Sequence, residues 1–128
     1  MNSGYVMRFS VALLLAFVGL TGKASAQTTY VKADNATALT NAASYTANSG
    51  VPGPADTIQI DNTLTAAQSP YIGGNLSVNG INQLASTGYI LTAGSGGTLS
   101  VGSGGITKAA AVNLLFNCPI TLTANQTW

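Results

Sequence analysis

Three short phrases recur in the second half of the chain: Leu76-Ser77-Val78, Leu99-Ser100-Val101 and Leu122-Thr123-Ala124. Each begins 23 residues after the one before. Two further features keep that offset. Ile90-Leu91 returns as Asn113-Leu114, and Asn79 returns as Asn125, with Gly102 between them. A strand-length phrase that returns about every twenty residues marks a solenoid, because each unit is too short to bury a face until its neighbours stack on it. The phrases are rich in Leu, Val, Ile, Thr and Ser, so the solenoid expected is a β-helix in an all-β chain.

Strand candidates within the repeats are 76–78, 89–92, 98–101, 112–116 and 120–123. Asn79-Gly80, Gly94-Ser95-Gly96-Gly97 and Gly102-Ser103-Gly104-Gly105 read as the corners between them. Side chains alternate faces along a strand. Leu76 with Val78, and Leu99 with Val101, therefore share a face. Leu114, Phe116, Cys118, Ile120 and Leu122 share parity as well, and stacked rungs align all of these into an apolar interior. Two full periods and the start of a third are present, and Trp128 falls in mid-pattern. The expectation is the start of a longer array.

Residues 1–26 have the three parts of a secretory signal peptide in order. Arg8 supplies the positive charge, Phe9 to Leu20 the apolar run, and Ala24-Ser25-Ala26 the small-residue cleavage site. The expected cut falls between Ala26 and Gln27. Met7, directly before Arg8, is an alternative start to Met1. The apolar run has twelve residues, short of the roughly 20 needed to span a bilayer as a helix.

Residues 27–75 carry no clear period and are expected to form an N-terminal cap and the first strands, leaving 76–128 as the repeat region. Tyr30 and Tyr45 are the aromatic anchors of the cap. Thr37 to Tyr45 suits a short helix or an irregular cap. Asn48 to Pro54 is a Gly/Pro loop, and Asp56 to Asp61 alternates as a half-buried strand does.

Charged residues make up 5% of the chain, against about 25% in ordinary soluble domains. After the signal peptide, Lys32 and Lys108 stand against Asp34, Asp56 and Asp61. No basic patch is available for nucleic acid. There is no His and no Glu, so serine or cysteine hydrolase chemistry that relies on histidine is excluded within these residues. Asp56 and Asp61 have odd spacing, which puts them on opposite faces of one strand, and all three aspartates read as solvated or turn-capping groups. The glycine runs lack the Gly-Lys-Ser/Thr of a phosphate loop and the Asp of calcium-binding repeats. Cys118, the single cysteine, reads as a small buried apolar residue. No catalytic, metal or cofactor site is expected.

Gly102-Ser103-Gly104-Gly105-Ile106-Thr107-Lys108-Ala109-Ala110, followed by Ala111 to Leu114 and by Cys118-Pro119-Ile120-Thr121-Leu122-Thr123-Ala124-Asn125-Gln126-Thr127-Trp128, resembles the autotransporter-associated β-strand repeat proteins. The resemblance spans roughly residues 50–128 and is most specific over 98–128. It implies a right-handed parallel β-helix forming the exported passenger of a bacterial surface or secreted protein, located outside the cell or at the outer membrane.

Two functions compete on this reading. One is a structural or adhesive surface module, whose partners are extracellular surfaces or polysaccharides and, during export, the secretion machinery. The other is the N-terminal part of a β-helical polysaccharide-active enzyme whose active site lies beyond residue 128.

Overall fold

The computed structural model of the chain describes residues 26–46, 50–65, 68–108 and 111–126. The expected signal peptide lies outside the described residues, apart from Ala26 at its end. Seven strands follow one another: β1 (Thr29–Val31), β2 (Thr57–Ile60), β3 (Leu76–Gln83), β4 (Tyr89–Thr92), β5 (Leu99–Lys108), β6 (Leu114–Asn117) and β7 (Ile120–Leu122). They form a five-stranded sheet in the order β1-β2-β3-β5-β7 and a two-stranded sheet β4-β6. Every pairing between named strands is parallel. The result is a β-solenoid of about three turns, the fold class expected from the repeats.

The interior forms where strand parity and rung register agree. Leu76, Leu99 and Ile120 stack in one column, and Val78, Val101 and Leu122 in the next. Tyr30, Ile58, Ile81 and Ile106 make a third. The facing wall supplies Tyr89 over Leu114 and Leu91 over Phe116. Fully burying each Leu, Ile or Val in these columns contributes about 1.5–3 kcal/mol.

The offset is 23 residues from β3 to the first part of β5, as the sequence implies, but it varies elsewhere. Leu99 pairs with Ile120, an offset of 21, so Leu122 lies over Val101 and not over Leu99. Ile90 pairs with Leu115, an offset of 25, so the Asn113-Leu114 match is displaced by two. Both displacements are even, and an even shift keeps every side chain on its face. The inward parity of Leu114, Phe116, Ile120 and Leu122 therefore survives the change of partner.

Two local events cause the drift. Between Val78↔Val101 and Gly80↔Gly105, the single residue Asn79 faces Gly102, Ser103 and Gly104. Two extra residues are accommodated there as a bulge. Later, seven positions carry the chain from Thr92 to Leu99, whereas three carry it from Asn117 to Ile120. The glycine corner 93–98 is replaced in the next rung by Cys118-Pro119.

Two of the expected corners are therefore not corners. Asn79-Gly80 lies inside β3 and Gly102 to Gly105 inside β5. Glycine there serves the bulge: Gly105 has φ +66°, and Gln126 packs on the face where a Cβ would sit. Gly94 to Gly97 is a true corner. Gly97 has φ +116°, and a Cβ on it would collide with the carbonyl of Gly74 in the preceding rung.

The N-terminal segment folds back on itself beside β1. Lys32 bridges Tyr45 in antiparallel fashion, and Ala42–Ser44 form a 3-10 turn in which the Ala43 N–H donates to the Asn41 side chain at 3.0 Å. Leu39 donates its N–H to Tyr71 and Thr40 to Ile72, so this segment also reaches the wall opposite β2. Leu39 and Tyr45 are buried. The Tyr30 and Tyr45 rings pack edge to face at 5.3 Å, and the Tyr45 hydroxyl donates to the Leu39 carbonyl at 2.7 Å. Burial pushes the Tyr45 hydroxyl well above its usual pKa.

Candidate functional site

The three aspartates hold corners. Asp34 accepts from the Thr65 N–H at 3.0 Å and from its hydroxyl at 2.9 Å. Asp56 accepts from the N–H groups of Gly53 at 2.8 Å and Thr28 at 3.1 Å. Asp61 accepts from the Thr63 N–H and the Gln59 amide, both at 2.9 Å. Hydrogen bonds from Thr65 hold the Asp34 carboxyl below the usual range, as those from Thr63 and Gln59 do for Asp61 against its partial desolvation. Asp56 and Asp61 flank β2 at its two ends, and each is engaged with its own turn. Among the described residues no group of three His, Cys, Asp or Glu side chains could hold a metal ion.

Both lysines of the described chain stand with Gln83 in one stacked column at the strand ends, with Lys32 and Gln83 buried and Lys108 exposed. Ile60 stacks on Gln83 and Gln83 on Lys108, while Lys32 lies one residue past the Val31–Gln59 pair and so over Ile60. Each donor ties down the corner that follows it. Lys32 Nζ donates to the carbonyls of Ala33 and Asn35, at 2.9 and 2.8 Å, and to the Asn35 side chain at 2.8 Å. Gln83 Nε2 donates to Thr87 O at 3.2 Å, and Lys108 Nζ donates to Val112 O. Desolvation lowers the Lys32 pKa to about 8, although nearby Asp34 pulls it upward. The buried Gln83 Oε1 has no hydrogen-bond partner.

The outer surface is built from uncharged hydroxyl and amide ladders. Ser77, Ser100 and Thr121 stack in register, at the roughly 4.8 Å spacing of adjacent strands. Gln59, Asn82 and Thr107 form a second ladder, in which the Thr107 hydroxyl donates to Asn82 Oδ1 at 2.9 Å. At the bulge, Asn79 Oδ1 accepts from Gly104 N at 3.0 Å and from Ser103 Oγ at 3.3 Å. From the far side, Gln126 Nε2 donates to Gly102 O at 2.8 Å. The Asn79, Gly102 and Asn125 recurrence seen in the sequence is thus the outer margin of the bulge.

One outward pair departs from this polarity. Ile90 and Leu115 are register partners with 51% and 56% of their surface exposed. With Gly88, Tyr89, Asn113 and Leu114 they line an open depression of about 480 Å³. Sequence reading treated Ile90-Leu91 as a repeat element and missed that Ile90 faces water. The alternation with buried Tyr89 and Leu91 was the available signal.

Gln27, expected to begin the mature chain, donates from its amide to Thr57 Oγ1 at 2.8 Å, and Thr28 is held by Asp56. Cys118 is half-buried against the core, and desolvation pushes its thiol pKa up. Among the described residues no helix is long and apolar enough to cross a membrane. No family model, curated protein or solved structure matches the chain.

Proposed function

We propose that this chain is an exported bacterial β-solenoid that works as a structural or adhesive module at the cell surface or in the medium. The observation that carries the reading is how the polar groups are used. All three carboxylates cap turns, two lysines tie down corner carbonyls, and the outer ladders are Ser, Thr, Asn and Gln. A wall of this kind offers many weak, uncharged hydrogen-bonding groups in a regular array. That suits extended, repetitive partners such as polysaccharides or another surface, and it does not depend on salt. The signal-peptide pattern of residues 1–26 and the resemblance over 98–128 support export by the same route.

Fractionation of the native cells with antibody labelling of intact cells tests it, together with N-terminal sequencing. The expected result is surface or medium localisation, a mature start at Gln27 and reduced adhesion in a deletion strain. Retention inside the cell with an intact leader overturns it.

A further inference from the structure

The residue expected to lead the mature chain is a glutamine, and its surroundings leave it free to react. Gln27 is exposed and precedes β1. The residue after it is fixed. Thr28 donates its N–H to Asp56 Oδ1 at 3.1 Å, and its carbonyl accepts from the Thr57 N–H at 2.9 Å. The Gln27 side chain makes one contact, with Nε2 donating to Thr57 Oγ1 at 2.8 Å at the surface. Water replaces the partner of an exposed hydrogen bond at small net cost. A cut between Ala26 and Gln27 therefore sets an α-amine beside its own carboxamide, reachable by rotation about side-chain bonds, while the backbone behind it stays in place.

We propose that Gln27 is a modification site: once the leader is removed, its α-amine closes on its own side chain to give an N-terminal pyroglutamate. The amine nitrogen attacks Cδ and forms the lactam C–N bond. The Cδ–Nε2 bond breaks, and Nε2 leaves as ammonia, taking a proton from the amine. No oxidant, reductant or second substrate is consumed. The α-amine has an ordinary pKa of about 7.7–8.0, so part of the population is uncharged and nucleophilic at neutral pH. Glutamine closes an unstrained lactam, whereas asparagine in the same place would have to close a strained one. The bond to Thr57 is given up in the step, because its donor is the departing nitrogen. Closure removes the free amine that an aminopeptidase requires. It thereby shields the Thr28–Asp56 clamp and the three-residue strand β1 that follow, at the end of the five-stranded sheet. The inference rests on the export reading through the cut at Ala26, and not on the adhesive role.

Tandem mass spectrometry of the N-terminal peptide, from protein recovered from its native envelope or medium, tests it. The expected peptide begins at residue 27, is lighter than its sequence by one ammonia with the loss placed on that residue, and offers no α-amine to an amine-labelling reagent. The intact protein should resist aminopeptidase. Gln27→Asn should keep its amine and be trimmed, and Thr57→Val should close a few-fold faster, because the amide has no partner to give up. A chain that begins at Gln27 and keeps its full mass and a free amine through storage at neutral pH overturns the inference and leaves export standing. A chain that begins elsewhere, or keeps its leader, overturns the inference together with the cut on which it rests. The unaltered protein decides the matter should the variants fail to be exported.

Discussion

Lys32 and Lys108 stand at opposite ends of one stacked column, and their surroundings differ. Lys32 is fully buried, with its ammonium held by three oxygens and Asp34 nearby. Lys108 is exposed and reaches one carbonyl. The apolar residues follow the same gradient, from buried Leu39 and Tyr45 in the cap to exposed Ile120 and Leu122 at β7. One repeat geometry thus leaves the residues of its columns buried to different degrees. A rung satisfies its own backbone only with a neighbour on each side, and beside β1 the folded-back segment supplies contacts through the Lys32–Tyr45 bridge.

The largest expected effect comes from the apolar columns. Leu99→Ala should cost about 3 kcal/mol in urea unfolding, because Leu99 is enclosed between two rungs. Leu122→Ala should cost less than about 1 kcal/mol, because Leu122 is 46% exposed. Equal costs would erase the contrast between the two positions. Next comes the lysine pair. Lys32→Met leaves the Asn35 carbonyl without the Lys32 donor and strips the second donor from Ala33 O and Asn35 Oδ1, and should cost about 2–3 kcal/mol, while Lys108→Met should stay within about 1 kcal/mol. A reversed order would show that the cap is not held by its ammonium.

A smaller effect is expected at the bulge. Asn79→Ala removes the acceptor for Ser103 and Gly104 and should cost about 1 kcal/mol, read as a shift in the urea midpoint with unchanged slope. The gentlest test is pH. The folded Lys32 pKa of about 8 lies below its ordinary 10.5, so the unfolded chain binds more protons between these values. Stability from this group should rise as pH increases from about 8, until Tyr45, whose folded pKa is raised, reverses the slope as the unfolded tyrosine ionises near 10. Asp34 and Asp61 have lowered folded pKa values, and their contribution is present above the ordinary carboxylate range and is lost as pH falls through it. Melting temperature against pH checks both limbs, and Lys32→Met should remove only the alkaline rise.

Among the elements, β4 was legible to the residue, and the Leu76–Leu99 and Val78–Val101 columns were legible with their register. β3 and β5 were read too short, because Asn79-Gly80 and Gly102 to Gly105 have the composition of turns. Composition cannot say whether glycines end a strand or relieve a bulge within it. The turn-capping role of the aspartates was legible because no His or Glu is present to form a catalytic or metal-binding group with them, and Asp56 and Asp61 have odd spacing. The lysine and glutamine column was not, since Lys32, Gln83 and Lys108 have spacings of 51 and 25 and become neighbours only once the rungs stack.

What the sequence determined by itself was the period and the parity. Alternation decides which side chains face inward, and a recurring phrase decides that strands stack in parallel, because both follow from local backbone geometry. Tertiary structure alone decided the partners. Offsets of 21, 23 and 25 all preserve parity, so alternation cannot choose among them. The bulge opposite Asn79 and the shortened corner at Cys118-Pro119 make that choice. Through the same stacking, Lys32 is buried beside Ile60, while Ile120 and Leu122 stand partly exposed beside Leu99 and Val101.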